Sequence, residues 1–315
     1  MEAKILTSDL GHYLNQEIIS EYLVTQKELR EGTKDFYLRL RLSDKNGSVM
    51  GNVWNNARAV AEKFKEGDVV RIKGMVISYR SQLQITINKI QVLDSEEYDL
   101  QDYIETTSKD ITKLNDKLFQ YIEQVGNKYL NALLRSVFED KEMLDRFCRA
   151  PAAKTWHHNY MGGLLEHTVA VTRICDLLAH YYPVDRELLI TGAILHDIGK
   201  IIEYNLVSAI DFTPEGRLLG HISLGDEIVC KRAAGINNFP PALLMKLRHL
   251  ILSHHGEYEK ASARLPQTIE AMMLHHADNL DAQVTGVAQL INSPQIQDSE
   301  WSEYDKLNNR FYYIK

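Results

Sequence analysis

Two adjacent side chains, His196 and Asp197, end an apolar run with helical character that leads to Gly199-Lys200. Neutral imidazole and carboxylate are good ligands for divalent transition metals. Further residues of these two types occur upstream and downstream, most of them inside predicted helices: His167, His221, His254 and Asp278. Because helix bundles often build metal pockets from ligands on several helices, the sequence predicts a metal centre in a helical domain.

This ligand set is large enough for two ions, and phosphodiester hydrolysis is a reaction that uses two. Paired metals supply a hydroxide at neutral pH, an electrophile on the phosphoryl oxygens and stabilisation of the leaving alkoxide. Such ions lie about 3.5–4 Å apart and share a ligand, which a carboxylate with two oxygens can be. We predict that Asp197 is this bridging, catalytic residue. The other predicted ligands divide into His167, His196 and Asp278 at one ion and His221 with His254 at the other.

Other polar residues near these motifs have two interpretations each. Lys200 either pairs with the scissile phosphate or counters the acidity of the domain. His255 follows His254, and adjacent helical residues diverge by about 100°, so we expect His255 to contact substrate or an additional ion. His157 and His158 either line the pocket mouth and contact a substrate phosphate or are ordinary loop residues.

The ligand types restrict the metal without fixing it. Mixed nitrogen and oxygen ligation favours manganese, iron, cobalt, nickel or zinc over magnesium. The cysteines Cys148, Cys175 and Cys230 are widely spaced and form no CxxC pair. This spacing argues against a disulfide framework and against a cysteine-based zinc site.

Length, charge distribution and hydropathy indicate the number of domains and the kind of protein. A chain of 315 residues exceeds the usual single-domain size, which predicts two domains. Residues 1–94 hold 14 Lys+Arg against 12 Asp+Glu, and the remainder holds 22 against 31. The acidity therefore coincides with the predicted metals, whose charge it would partly balance. No apolar run approaches a membrane span, so we expect a cytoplasmic protein without membrane partners.

The elements that position the candidate ligands are helices. Apolar residues recur at helical spacing through residues 111–315, which predicts an all-α bundle. Residues 95–110 begin acidic, lack apolar periodicity and are predicted to be a linker. The predicted helices around the ligands are Leu164–His180, Arg186–His196, Ser223–Ala233, Ala242–Ser253 and Gln267–Leu290.

Residues 1–94 have a different pattern, dominated by short alternating runs. The predicted strands are Glu17–Val24, Asp35–Leu42, Ser48–Trp54, Val69–Tyr79 and Leu83–Val92. A short helix, Ala57–Lys65, interrupts them after the third strand. This layout is that of an OB-fold, an all-β barrel that often carries single-stranded nucleic acid on its second and third strands.

Alternation along the second and third strands predicts one polar, aromatic face. It would carry Tyr37, Arg39, Arg41, Asn52 and Trp54, which offer stacking surfaces between cations that can pair with phosphates. Exposed aromatic and arginine pairs also support neighbouring strands. Strand alternation alone leaves both interpretations open.

The motifs as a set resemble a known superfamily. His167, then His196-Asp197, then Asp278 resembles the HD superfamily of metal-dependent phosphohydrolases, and Leu195-His-Asp-Ile-Gly-Lys200 is similar to its most recognisable motif. An OB-fold joined to such a domain is similar to the YhaM family of bacterial 3′→5′ exoribonucleases. The segments Gly162-Gly-Leu-Leu-Glu-His167-Thr and Ser253-His-His-Gly256 extend this likeness.

The resemblance implies a function. Such an enzyme would be a manganese- or cobalt-activated nuclease that degrades single-stranded RNA, and also single-stranded DNA, to nucleoside monophosphates through a metal-activated hydroxide. The alternatives are a phosphohydrolase of small nucleotides or cyclic dinucleotides, and a non-enzymatic single-strand DNA-binding factor in replication. The aromatic C-terminal residues Phe311, Tyr312 and Tyr313 could cover another subunit in a homo-oligomer or could dock on their own domain.

Overall fold

The computed structural model describes residues 4–32, 35–79, 82–94, 96–99, 102–104, 106–154, 158–205, 211–291, 300–302, 304–305 and 308–313. The chain forms two compact units, and of the described residues the first unit contains 4–106 and Asn205, while the second contains the others. Their cores are separate hydrophobic clusters, one inside a barrel and one among helices. Among the helices of the described ranges, none is both long and apolar enough to cross a membrane.

The first unit is a closed five-stranded barrel with the strand order β1-β2-β3-β5-β4. Its strands are β1 (Glu17–Glu31), β2 (Phe36–Asp44), β3 (Gly47–Val53), β4 (Val69–Tyr79) and β5 (Gln82–Val92), and helix α1 (Ala57–Ala61) lies between β3 and β4. Only β3 and β5 pair in parallel among these strands. The predicted OB-fold barrel is thus confirmed.

Alternation along β2 fills the barrel as predicted. Leu38, Leu40 and Leu42 are fully buried. Phe36 is half-buried, and its ring centroid lies 4.1 Å from the guanidinium carbon of Arg58. Register shifts in the β1–β2 pair and in the β4–β5 pair interrupt the regular pairing. Such bulges increase strand bending and twist, which a sheet needs in order to close on itself.

The second unit consists of helices. They are α2 (Ile111–Glu123), α3 (Lys128–Phe138), α4 (Lys141–Arg149), α5 (Gly163–Ala179), α6 (Arg186–Leu195), α7 (Lys200–Glu203), α8 (Pro214–Ala234), α9 (Pro241–Ser253) and α10 (Ile269–Ile291). Two short strands, β6 (Tyr204–Asn205) and β7 (Asp211–Phe212), lie between α7 and α8. The predicted all-α architecture of this half is confirmed.

The start of α8 differs from the prediction. The helix begins at Pro214, after an N-cap at Thr213, rather than at Ser223. Its first turns expose Leu218 and Leu219, so they carry no buried apolar stripe that periodicity could detect. Gly220 interrupts the helix with φ 69° and ψ 156°, a conformation that strongly favours glycine. This break makes His221 the first residue of the buried half of α8.

A close backbone contact joins the turn before α7 to α8. A Cβ added to Gly199 would lie 2.0 Å from the carbonyl oxygen of His221 and 2.6 Å from the amide nitrogen of Gly225. No side-chain carbon fits at such distances without a shift of the backbone. Gly199 therefore lets α8 approach the turn that carries His196 and Asp197.

Replacing Gly199 by alanine is expected to lower the free energy of unfolding of the helical unit by about 1–3 kcal/mol, because backbone atoms of α8 must move. Urea denaturation followed by helical circular dichroism measures this change. Gly235→Ala is the matched control, since its added Cβ would meet its nearest atom, the carbonyl oxygen of Arg232, at 3.4 Å. An equal effect of both substitutions would contradict the role of the close contact.

Candidate functional site

The structure brings the six predicted metal ligands together at the ends and along the faces of five elements. His167 lies in the second turn of α5, and Asp278 lies in α10. His196 and His254 are the residues that follow α6 and α9, and His221 follows the break in α8. Asp197 comes directly after His196, and its carboxylate lies within 4 Å of the imidazoles of all four histidines in this set.

The first cluster consists of His167, His196 and Asp278. The Nε2 atoms of His167 and His196 are 3.3 Å apart. Asp278 Oδ1 lies 3.1 Å from His167 Nε2 and 3.9 Å from His196 Nε2. These three ligand atoms lie within 4.8 Å of one another and could hold one metal ion.

The second cluster consists of His221, His254 and His255, whose ligand atoms also lie within 4.8 Å of one another. This grouping differs from the expectation that His255 contacts substrate or an additional ion rather than the ion at His254. The helical angle of about 100° applies inside a helix, but α9 ends at Ser253 and the chain turns at Gly256, where φ is +77°. The rings of His254 and His255 consequently meet edge to face, with centroids 4.4 Å apart.

Asp197 lies between the two clusters and presents one carboxylate oxygen to each. Oδ2 is 3.2 Å from His196 Nε2 and 3.6 Å from His167 Nε2. Oδ1 is 3.5 Å from His221 Nε2 and 3.6 Å from His254 Nε2. The side chain is 2% exposed. This geometry is the one that a bridging carboxylate requires.

The hydrogen bonds of the imidazoles fix which nitrogen is available. His196 Nδ1 donates to the carbonyl oxygen of Ala193, and His254 Nδ1 donates to that of Ile251, both at 2.8 Å. His255 Nδ1 donates to the carbonyl oxygen of Lys260 at 2.6 Å. Because a carbonyl can only accept, each Nδ1 carries a proton, and Nε2 is the nitrogen that faces the interior.

The remaining two imidazoles are oriented by carboxylates that the sequence analysis did not identify. His167 Nδ1 bonds to Asp281 Oδ2 at 2.7 Å, and His221 Nδ1 bonds to Glu203 Oε1 at 3.0 Å. Asp281 stands three residues after Asp278 on α10, a spacing that places both on one helix face and could have indicated it. Carboxylates in this position fix the ring and increase the basicity of the ligand nitrogen.

His158 contacts Asp281, the carboxylate that orients His167 of the first cluster. Its Nε2 lies 3.1 Å from Asp281 Oδ2, and its Nδ1 lies 2.8 Å from the hydroxyl of Tyr160. The ring is 2% exposed, so it does not line an open pocket mouth. His158, His167 and Asp281 also form a group within ligand distance, but the 2.7 Å and 3.1 Å separations are those of hydrogen bonds. His157 lies outside the described residues.

Lys200 interacts with the bridging carboxylate. Its Nζ is 2.6 Å from Asp197 Oδ2, and both side chains are buried. Burial by itself raises the pKa of Asp197, but the charges of Lys200 and His196 lower this pKa well below its ordinary value. Asp197 is therefore an anion.

The carboxylates also determine where positive charge is favourable. Burial lowers the pKa of His167, but its hydrogen bonds with Asp278 and Asp281 outweigh burial and raise the pKa to about 9. Burial together with His254 and His221 lowers the pKa of His255 to about 3. The first cluster thus favours a cation, whether a proton or a metal ion, whereas the His255 imidazole is neutral.

Buried atoms without a hydrogen-bond partner test whether a metal fits. Within the described residues, Asp197 Oδ1, His221 Nε2 and His254 Nε2 are buried and make no hydrogen bond. All three face one another, and all three are acceptors. Unpaired buried polar atoms are costly, and one divalent ion would satisfy this set. The residues therefore fit a metal at the second cluster, and the facing Nε2 atoms of His167 and His196 fit one at the first.

The barrel carries a second candidate site on the outer face of β2 and β3. Tyr37 and Trp54 stack with ring centroids 4.8 Å apart, and the Trp54 side chain is 54% exposed. Arg39 pairs with Asn52 across the strands, and Arg41 reaches Ser48 Oγ at 3.4 Å. Asn52 is only 8% exposed, because its amide donates to Gln84 Oε1 at 3.1 Å.

Comparison with known families matches residues 164–283 to the HD domain and residues 24–93 to an OB-fold nucleic acid binding domain. Among solved structures, the HD domain of the phosphodiesterase PgpH from L. monocytogenes is 23% identical, with a TM-score of 0.30, over 46% of this chain and 74% of its own.

Two relatives resemble the whole chain, and both are named 3′-5′ exoribonuclease YhaM. The protein from Shouchella clausii (strain KSM-K16) is 33% identical over 98% of this chain and 97% of its own. The protein from Bacillus subtilis (strain 168) is 30% identical over 99% of this chain and 98% of its own. With both domains matched in the same order over nearly the full length, the chain belongs to the YhaM family of 3′-5′ exoribonucleases.

Proposed function

We propose that this protein is a metal-dependent 3′→5′ exoribonuclease that hydrolyses single-stranded RNA, and also single-stranded DNA, to nucleoside monophosphates. The observation that carries the proposal is the Asp197 carboxylate, which faces an imidazole cluster on each side. Family membership supports the substrate and the polarity. The free thiols of Cys148, Cys175 and Cys230 suit the reducing cytoplasm, where we expect the protein to act.

Each residue of the centre has a proposed role. His167, His196 and Asp278 would hold one divalent ion and His221, His254 and His255 the other, with Asp197 shared. When bound, the ions supply an activated water and polarise the phosphodiester oxygens. Lys200 holds the bridging carboxylate in its ionised form and places a positive charge beside the cleavage site. Asp281, Glu203 and His158 keep the ligand rings in place.

We propose manganese as the native metal and two ions for each chain. Five imidazoles and two carboxylates form a mixed nitrogen and oxygen set, which disfavours magnesium. Cobalt, iron, nickel and zinc would fit the same donors. The preference for manganese follows the family resemblance.

The barrel is proposed to bind the single strand through its aromatic pair. Tyr37 and Trp54 form a continuous stacked surface, with Arg39 and Arg41 on the same face. Bases stack on such surfaces independently of sequence, and arginines pair with the phosphates. Asn52 would act less by direct contact than by holding β3 to Gln84 of β5.

Metal removal is expected to inactivate and destabilise the protein. Chelation followed by dialysis should lower the melting temperature, because ions bound only to the folded state stabilise it. Manganese titration monitored by calorimetry should restore the melting temperature and give two ions for each chain. Asp278→Asn should weaken the first site and leave the second. Identical melting curves with and without manganese would contradict the metal centre.

The substitution Asp197→Asn is expected to reduce hydrolysis of RNA at least a thousandfold, because the shared ligand of both ions loses its charge. The assay follows stepwise shortening of 5′-labelled RNA in the presence of manganese. Asp226→Asn is the matched control, since this carboxylate of α8 forms an ion pair with Arg248. Full activity of Asp197→Asn would eliminate the bridging role, and an equal loss in the control would point to a general defect in folding.

The substitution Trp54→Ala is expected to weaken binding of single-stranded RNA by about 1–3 kcal/mol, the contribution of one base–aromatic stack. Fluorescence anisotropy with a labelled oligonucleotide in the absence of cleavage measures the dissociation constant. Tyr79→Ala removes an aromatic side chain of similar exposure from β4 and serves as the control. Equal dissociation constants for Trp54→Ala and the wild type would assign the Tyr37–Trp54 pair to strand support alone.

A further inference from the structure

A groove of about 720 Å³ lies along α10 in the helical unit. Asn279, Gln283, Val287 and Ile291 line it at intervals of four residues, which places them on one face of the helix. Twelve residues of helix rise by about 18 Å. The other polar lining residues are Lys260, Asn308, Arg310 and Tyr312. We call this feature the α10 groove.

One end of the α10 groove adjoins the metal centre. Lys260 lines the groove through its side chain, while its carbonyl oxygen accepts the hydrogen bond from His255 Nδ1 at 2.6 Å. At the same end, Asn279 follows the ligand Asp278 in α10. A polymer whose terminal phosphodiester lies at the metals could therefore continue into this groove.

The lining has the charge and the hydrogen-bonding groups of a site for a polyanion. It contains two cations and three amides, and the described residues that line it include no carboxylate. Asp305 lies beside the lining, where its Oδ2 accepts hydrogen bonds from Asn308 Nδ2 at 2.6 Å and from the Tyr312 hydroxyl at 3.3 Å and holds these two side chains in place. Lys260 forms an ion pair with Glu257 at 2.9 Å, with both side chains about half exposed. Such surface pairs contribute little, so the ammonium can exchange to a phosphate at little cost.

The C-terminal residues of the groove are held in a defined arrangement. Tyr312 exchanges hydrogen bonds with Ser302, its amide donating to Ser302 Oγ and its carbonyl accepting from the Ser302 amide, both at 2.9 Å. The backbones of Asp305 and Arg310 also pair. Trp301 packs edge to face on Tyr313. The Tyr312 ring and the Arg310 guanidinium are thus carried by a paired segment.

We propose that the α10 groove binds the single-stranded RNA substrate beside the nucleotide that is cleaved. Phosphates lie on Lys260 and Arg310, a base stacks on the Tyr312 ring, and the amides of Asn279 and Gln283 meet base or ribose edges. The inference rests on the proposed function, because it places part of the same substrate. It assigns to the helical unit a strand-binding surface of its own, besides that of the barrel.

The test compares Lys260→Ala, Arg310→Ala and the double variant with Lys231→Ala. Lys231 is an exposed lysine of α8 in an ion pair with Glu227 and lies outside the groove. Lys260→Ala leaves the backbone carbonyl that orients His255 intact. The kcat/KM is measured for a single-stranded RNA at several salt concentrations and for bis(p-nitrophenyl) phosphate, a small diester that cannot reach along the groove.

The double variant is expected to lower the ratio of the two kcat/KM values, RNA over small diester, about tenfold. The slope of log kcat/KM for RNA against log salt should become shallower by about 0.7 for each cation removed. Lys231→Ala should change neither quantity. Tyr312→Ala should lower the ratio about fivefold or more, and Tyr312→Phe should retain it, because stacking needs the ring and not the hydroxyl.

Three results would overturn the proposal. The first is an unchanged ratio and salt slope in the double variant. The second is an equal loss on RNA and on the small diester, which would indicate damage to the metal centre. The third is a change in sedimentation with an unchanged slope, which would assign this face to a second copy of the chain. A wild-type protein that fails to degrade RNA would instead contradict the proposed function itself.

Discussion

The charge of the Asp197 carboxylate must be compensated inside the protein, and the helical unit is arranged around this requirement. Moving a carboxylate from water into a protein interior costs several kcal/mol unless opposite charge and hydrogen bonds offset it. Lys200 supplies one cation on the Oδ2 side. On the Oδ1 side, the described residues offer imidazole lone pairs and no donor. A divalent ion between these atoms would supply positive charge on that side, so metal binding would also stabilise the interior.

Carbonyl groups at the ends of two helices orient two of the candidate ligand imidazoles. The last carbonyls of an α-helix have no partner within the helix. His196 and His254 each follow a helix and donate from Nδ1 to the carbonyl three residues earlier, at Ala193 and Ile251. The same bond satisfies the free carbonyl and directs Nε2 inward. His275 extends the arrangement, because its Nδ1 donates to the carbonyl of His254 at 2.9 Å.

The sequence predicted the parts of the site whose residue types are themselves unusual. Histidines and aspartates inside apolar helical patterns predicted six residues that the structure brings together, and alternation predicted the barrel strands and the Tyr37–Trp54 face. Asp281 and Glu203 were missed because acidic residues are common on helices and only a contact distinguishes them. The position of His255 depended on where α9 ends, which periodicity does not fix. Asn52 is covered by Gln84, to which its side chain donates a hydrogen bond. Gln84 belongs to β5, which pairs in parallel with β3, and strand alternation does not predict which strand lies beside β3.

The tautomers of the five imidazoles have a consequence for metal selection. With Nδ1 committed to carbonyls and carboxylates, every ring directs Nε2 into the pocket before any ion arrives, so the pocket is arranged for first-row divalent ions as a group. Affinities for such donors follow the Irving–Williams order, in which manganese and iron bind most weakly. The pocket would therefore bind several of the competing ions more tightly than manganese, the ion proposed as native. Which ion the enzyme carries would then be decided by the free concentrations that the cell maintains, and its activity would report the metal status of the cell.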